Sequence, residues 1–271
     1  MPELPEVETT CRGIAPRIRK RVIEKVIVRQ PMLRWPVPRS LSSKLKGQTV
    51  DKVSRRGKYI LLWTKAGTVI MHLGMSGSLR VIDCSIKPDK HDHVDFVFRN
   101  GKCLRLKDPR RFGAVLFTSK DPCQHKLLKD LGPEPLEKEL NGDYLFNKSR
   151  KRSVNIKAFI MDSKVVVGVG NIYASESLFK AGIHPKKAAG KVSRESYVKL
   201  ARAIKSVLRA SIKAGGTTLR DFTKSDGQPG YFSQKLNVYG HKGEPCPKCG
   251  KAITQSVIAQ RATYYCTHCQ N

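Results

Sequence analysis

The segment CPKCGKAITQSVIAQRATYYCTHC (246–269) holds two C-x2-C pairs with sixteen residues between Cys249 and Cys266. Each pair can offer two thiolates to one tetrahedral ion, and the stretch between the pairs reads as a β-hairpin. Cys246, Cys249, Cys266 and Cys269 therefore predict a hairpin stapled by one zinc ion. Four protein ligands leave no coordination position for water, so the ion is expected to be structural, and it would supply much of the folding free energy of so small a module. Two disulfides or free thiols are the other readings, and the spacing favours zinc. His268 lies inside the second pair and reads as a bystander, while Cys11, Cys84, Cys103 and Cys123 have no ligand spacing. Arg261 falls near the hairpin tip, where a rigid hairpin could insert it into a groove and hold phosphate.

Outward from this finger the pattern changes twice. Helical periodicity occupies about 154–162, 171–182, 193–214 and 217–223, with turns at GVGN (168–171) and GIHP (182–185). Before it, residues 119–137 (SKDPCQHKLLKDLGPEPLE) form a break rich in Lys, Asp, Pro and Gly. From about 22 to 118 the chain consists of short β-type runs: VIEKVIV (22–28), YILLWT (59–64), TVIMHL (68–73), VDFVF (94–98) and GAVLF (113–117). Turn signals separate them, which predicts an antiparallel sandwich or barrel. Residues 2–18 read as a helix, with Pro2 in the first turn and Glu3, Glu6 and Glu8 near its positive end; Gly13 and Pro16 leave its far end open.

The expected architecture is an α+β multidomain protein. A helix and antiparallel β-sandwich span 1–118, a linker spans 119–137, a helical domain spans 138–236 and a zinc finger spans 237–271. Lys and Arg total 52 against 22 Asp and Glu, a formal charge of +30, which points to a polyanionic partner, usually nucleic acid. No apolar run approaches the roughly 20 residues needed to cross a bilayer. The acidic, proline-containing start MPELPEVETT is unlike a secretory signal, and eight cysteines without an export signal favour reduced thiols or metal ligands. The expected compartment is the cytoplasm.

MPELPEVE (1–8), RRGKYILL (55–62), HLGMSG (72–77), KHDHVDF (90–96), DPRRFG (108–113), VVVGVGNIYASESLF (165–179), GGTTLRDF (215–222) and SDGQPGYF (225–232), together with the cysteine quartet, resemble the formamidopyrimidine-DNA glycosylases. The motifs occur in order and cover nearly the whole chain. The resemblance implies a bifunctional glycosylase and abasic-site lyase that acts on oxidised purines in double-stranded DNA, with one structural zinc. It implies that Met1 is removed and that the secondary amine of Pro2 is the nucleophile, with Glu3 as its acid/base partner and Glu6 in support. Lys58 is implied as a general acid, and Arg261 as donor in δ-elimination and a phosphate clamp. Met75, Arg110 and Phe112 would fill the void left by a flipped base, Arg110 pairing with the orphaned cytosine. His91, Arg152 and Asn171 would contact DNA. Asn171 would do so from a helix–two-turn–helix element over roughly 155–182, although a helix N-cap is its simpler explanation. SDGQPGYF would close over the flipped base.

Two other readings stand beside this one. The sister endonuclease VIII family shares the proline and zinc hairpin but prefers oxidised pyrimidines; its members usually open with MPEGPE and lack the long loop. A DNA-binding relative without catalysis is argued against by the joint presence of Pro2, Glu3, Lys58 and Arg261. One active site per chain makes a monomer sufficient, and a DNA-repair role would place it with the nucleoid.

Overall fold

The computed structural model describes residues 2–215 and 236–271. Among these, 2–129 with 215 form one compact unit, and 130–214 with 236–271 form a second. Met1, the helical pattern at 217–223 and the loop SDGQPGYF lie outside the described residues.

The first unit opens with helix α1, Leu4–Ile18. Expected from residue 2, the helix begins two residues later. Glu3 is extended (φ −97°, ψ −171°) and serves as the N-cap, so Pro5, and not Pro2, occupies the first turn. The Glu6 carboxylate accepts from the backbone N–H of Glu3 at 2.8 Å, the capping-box contact that fixes where the helix starts. The helix continues through Gly13 and Pro16 to Ile18 because Val7, Cys11, Ile14 and Ile18 repeat at helical spacing and are buried.

Two four-stranded antiparallel sheets follow. One has the order β1 (Ile23–Val28), β6 (Asp92–Phe98), β7 (Lys102–Lys107), β5 (Ser78–Asp83). The other has the order β2 (Lys52–Arg56), β3 (Tyr59–Thr64), β4 (Gly67–His72), β8 (Ala114–Thr118). Val26, Phe96 and Leu104 of the first sheet and Ile60, Leu62, Val69 and Met71 of the second share one core with α1 and the short helix α2 (Leu41–Leu45), a sandwich as expected. Strands β2, β5 and β7 had no counterpart among the apolar runs. Each carries Arg or Lys within its length (Arg55, Arg80, Arg105), which interrupts the hydrophobic pattern. Arg105 is buried and pairs with Asp95 at 2.8 Å.

The second unit contains α3 (Gly142–Ser149), α4 (Ile156–Met161), α5 (Asn171–Ala181), α6 (Arg194–Lys213) and the hairpin β9–β10 (Thr254–Ile258, Arg261–Tyr265). Helix α3 is short and polar; Asn141 caps it by accepting from Tyr144 N–H at 2.8 Å. Helices α4 and α5, with the turns between them, form the helix–two-turn–helix element expected over 155–182. Ile160 of α4, Tyr173 and Leu178 of α5, and Tyr197, Leu200, Ile204 and Leu208 of α6 make its core. Phe179 of α5 packs with Val238, Cys246, Ile253 and Cys266, which joins the finger to the helices.

Candidate nucleic-acid interface and catalytic cluster

In the first unit, Lys58 stands in a two-residue turn between β2 and β3, closed by the pair Arg56–Tyr59. Gly57 takes the first turn position with φ 56°, a value that L side chains rarely adopt and tight hairpins require. Arg55 ties this turn to α1: its Nε donates to Glu8 Oε2 at 3.0 Å and its Nη1 to the Gly57 carbonyl at 2.9 Å. Arg55 and Arg12 hold the Glu8 carboxyl below its usual range against the opposing effect of burial. Glu3 and Glu6 are both buried at the start of the same helix, with Pro2 half-buried just before them.

His72 closes β4 opposite Tyr59, with ring centroids 4.9 Å apart. Burial lowers its pKa to about 4, aided by the charges of Lys58 and Arg34. The ring is therefore neutral at pH 7. Its Nδ1 accepts from Gly74 N–H at 2.9 Å, which leaves the proton on Nε2. The motif HLGMSG carries Met75, the void-filling candidate; His72 lies three residues before it and beside the candidate acid, but in the sequence a histidine ending an apolar strand is indistinguishable from packing.

Met75, Arg110 and Phe112 come together. Arg110 Nε donates to Ser76 Oγ at 3.3 Å, which joins the loop after β4 to the loop before β8. Gly74 (φ 62°) lies so close that a Cβ there would sit 2.5 Å from the Phe112 carbonyl carbon. Met75 and Phe112 are 39% and 50% exposed, so neither is a core residue. Asp108 organises this loop: its Oδ2 accepts from Gly113 N–H at 2.7 Å, and its backbone N–H donates to the His91 carbonyl at 3.0 Å. Burial raises the Asp108 pKa, partly offset by the backbone donor Gly113. Arg111 turns the chain with φ 56°.

The second unit gathers a different set. Asn171 is the first residue of α5 and Gly170 is its N-cap, so the capping role considered for Asn171 is not the one it has. Its side chain instead accepts from Lys157 Nζ and donates to the Ala262 carbonyl at 2.9 Å and the Tyr239 hydroxyl at 3.3 Å. Lys157 is 1% exposed and also donates to Thr263 Oγ1 at 2.7 Å. Glu176, also buried, accepts from the backbone N–H groups of Asn237, Val238 and Tyr239, at 2.9 Å and 3.0 Å for the last two, and so fixes Tyr239. Neither Lys157 nor Glu176 was singled out from sequence. The only signal was a charged residue inside an otherwise apolar or small-residue helical turn (IKAFIM, YASESLF). Arg152 is exposed in the turn after α3.

Arg261 opens β10 and pairs in register with Ile258 across a two-residue turn. Ala259 and Gln260 both take positive φ (48° and 58°), an arrangement that costs about 1–2 kcal/mol per non-glycine residue and is held by the hairpin. The sulfurs of Cys246, Cys249, Cys266 and Cys269 lie within 4.8 Å of one another, with Cys249–Cys266 at 3.5 Å and Cys246–Cys269 at 3.9 Å. Tetrahedral ligands at the usual Zn–S length of about 2.3 Å stand roughly 3.8 Å apart, so this donor set fits one structural zinc ion. No helix among the described residues is long and apolar enough to cross a membrane.

Comparison with known proteins agrees with this geometry over the whole chain. Residues 1–115 match the formamidopyrimidine-DNA glycosylase N-terminal domain, residues 131–223 the formamidopyrimidine-DNA glycosylase H2TH domain, and residues 243–271 a zinc finger found in FPG and IleRS. The formamidopyrimidine-DNA glycosylases of Teredinibacter turnerae and Alkalilimnicola ehrlichii are 59% and 57% identical to it, each alignment covering 100% of both chains. Among solved structures, MutM (FPG) from Thermus thermophilus superposes with a TM-score of 0.88 at 35% identity, covering 99% of this chain and 98% of that one. A Lactococcus lactis Fpg in complex with abasic-site DNA gives 0.90 at 34% identity, with 99% of each chain covered. The chain belongs to the formamidopyrimidine-DNA glycosylase family.

Proposed function

We propose that this protein removes oxidised purines, 8-oxoguanine and formamidopyrimidines, from double-stranded DNA and then cleaves the strand at the resulting abasic site. The observation that carries this reading is the pairing of two elements in the first unit. The capping box holds Glu3 beside Pro2, and Arg55 ties the Lys58 turn to the same helix.

With Met1 removed, the Pro2 nitrogen is a secondary amine. It attacks C1′ of the damaged nucleoside, the N-glycosidic bond breaks, and the base leaves with its bonding electron pair and takes up a proton. The Pro2 nitrogen then gives up its proton, the C1′–O4′ bond breaks with its electron pair going to O4′, which takes up a proton, and the opened sugar is held as an iminium on Pro2. Having no N–H to lose, that iminium stays cationic and draws electrons through successive β- and δ-elimination, which leaves a one-nucleotide gap with phosphate ends. Glu3 handles protons at the sugar, Lys58 serves as general acid, and Arg261 assists δ-elimination and clamps phosphate. Unstacking the base costs a few kcal/mol. Met75 and Phe112 support the opened stack, as apolar wedges do in other DNA complexes, while Arg110 pairs with the orphaned cytosine. His91, Arg152 and Asn171 hold the backbone. Lys157 and Tyr239 join Asn171, and the neutral His72 can donate Nε2–H to a phosphate beside Lys58 and Arg34.

In this reading residues 1–118 are the catalytic domain, 138–236 the helical DNA-binding domain and 237–271 the finger. The protein acts as a monomer in the cytoplasm, on the nucleoid.

Borohydride reduction in the presence of an 8-oxoguanine·cytosine duplex tests the proposal. A covalent adduct mapped to Pro2 is the expected result. Trapping only on thymine glycol would move the protein to oxidised pyrimidines, and no adduct from protein with a free Pro2 amine would sink the chemistry.

A further inference from the structure

Along α6, Lys199, Arg202, Ser206, Arg209 and Lys213 recur every three or four residues and so stand one above another on a single face. The four basic residues are exposed, whereas Leu200, Ile204, Leu208 and Ser211 on the other side are buried. The gap at Ser206 is filled from the neighbouring helix, where the exposed Lys180 donates its Nζ to Ser206 Oγ at 2.6 Å. Five cations thus lie in one line. At 1.5 Å per residue the row extends about 21 Å, the length of some six base pairs of duplex.

Helix stability does not account for this row. Like charges at such spacing repel by a few tenths of a kcal/mol per pair. The helix dipole favours cations only in the last turn, which includes Lys213 but not Lys199 or Arg202. Glu195 is the sole carboxylate on the helix; one turn before Lys199, in the favourable i,i+4 order, it interacts with the first cation of the row and with none of the others, while its neighbour Arg194 pairs with Asp143 at 2.6 Å. None of the five cations is in an ion pair among the described residues.

The row also faces away from the cluster assigned above to DNA. On α5, Asn171 reaches the Ala262 carbonyl of β10, while Tyr173 reaches Ser211 of α6, their hydroxyl oxygens 2.6 Å apart. Positions two apart on a helix point about 200° from each other, so α6 lies across α5 from the Lys157–Asn171–β10 cluster.

We propose that the α6 row is a second DNA-backbone site, which holds a separate duplex segment while the first is engaged and so allows transfer between segments. This rests on the DNA-binding reading above.

The test uses the full-length zinc-loaded protein, saturated with a short duplex carrying a stable abasic-site analogue. A second, fluorescently labelled undamaged duplex is then titrated and followed by anisotropy. The comparison protein carries Lys199→Gln, Arg202→Gln, Arg209→Gln and Lys213→Gln, exposed replacements that keep helix propensity, and circular dichroism checks its fold. The expected result is a salt-sensitive ternary complex with the native protein. In the variant its affinity should fall at least about tenfold, and its log K–log salt slope by roughly 0.9 for each phosphate that the row no longer neutralises. First-duplex affinity should be unchanged.

Failure of saturated protein to bind a second duplex overturns the inference and leaves an acidic protein surface as the partner this face fits. Equal ternary binding by both proteins also overturns it, as does a variant that loses the first duplex in parallel, because the row would then belong to the primary footprint. Absence of first-duplex binding by the native protein would instead remove the functional reading itself.

Discussion

One side chain, Arg55, holds both the Gly57 carbonyl at 2.9 Å and the Glu8 carboxylate at 3.0 Å, so the turn carrying Lys58 is fastened to the helix that begins beside Pro2. Replacing Arg55 with Ala should cost about 2 kcal/mol, the range for hydrogen bonds to charged groups. It should also lower the single-turnover excision rate more than it weakens DNA binding, because Lys58 loses its placement while phosphate contacts remain. Denaturant melts and single-turnover kinetics measure the two effects. Excision at the native rate in Arg55→Ala would show that the turn holds itself.

The sandwich should lose stability on mild acidification, and His72 should be a main cause. Its folded pKa of about 4 lies below the usual 6.5, so between these values the unfolded chain binds more protons than the folded one. Stability from keeping His72 neutral is therefore present above pH 6.5 and is lost as pH falls toward 4. Glu8, whose carboxyl is depressed by Arg12 and Arg55 against burial, adds a loss at still lower pH. His72→Asn keeps an acceptor for Gly74 N–H but does not titrate. Its unfolding free energy should be flatter than the native curve between about pH 7 and 4. Parallel curves would contradict the assignment.

The sequence was most readable where one physical constraint dominates a short stretch. The zinc hairpin follows from four thiols at fixed spacing, and strands β3 and β4 follow from YILLWT and TVIMHL, whose apolar runs carry no full charge. Strand β7 was hidden because Arg105 interrupts it, and only the structure supplies the buried partner, Asp95, that makes an arginine acceptable there. Lys157 and Glu176 were hidden for the same reason: a charge inside a helix is unremarkable until its partners, Asn171 and the 237–239 backbone, are brought from further along the chain.

In the proposed function Asn171→Ala weakens DNA binding, and its contact with Lys157 means that it should also cost stability. Lys157 is 1% exposed, and removing one of its acceptors leaves a buried ammonium short of a partner, a change that costs about 1–3 kcal/mol. Loss of stability and of DNA affinity should appear together. In the double variant Asn171→Ala, Lys157→Met the stability loss should be smaller than the sum of the two single losses, since the stranded charge is gone. Additive losses would mean that the two side chains do not act as a pair.

Zinc removal should separate the two units energetically. The finger's core consists of Val238, Cys246, Ile253 and Cys266 packed on Phe179 of α5, and two of the finger's four are ligands, so little of the hairpin's own core remains once the metal is gone. Chelation, or Cys249→Ser, should release Arg261 and the Lys157 acceptor Thr263 from their fixed positions and abolish tight binding of abasic-site DNA. The sandwich core of the first unit should melt near its native temperature. Full activity after verified removal of zinc would show the hairpin to be dispensable.

Gly74 sets the spacing between the two loops that carry Met75 and Phe112. A Cβ at this position would lie 2.5 Å from the Phe112 carbonyl carbon and 2.6 Å from Gly113 N, both backbone atoms that cannot swing aside, and the φ of 62° is itself unfavourable for alanine. Gly74→Ala should force the loops apart, at a cost of about 1–3 kcal/mol, the usual range for overpacking. It should also reduce excision of 8-oxoguanine from duplex. Ser76→Ala serves as the comparison, since it removes only the 3.3 Å contact with Arg110 and leaves the spacing intact. Excision should fall markedly in the first variant and little in the second. Equal, small effects in both would mean that the approach of Met75 to Phe112 has no part in holding the opened stack.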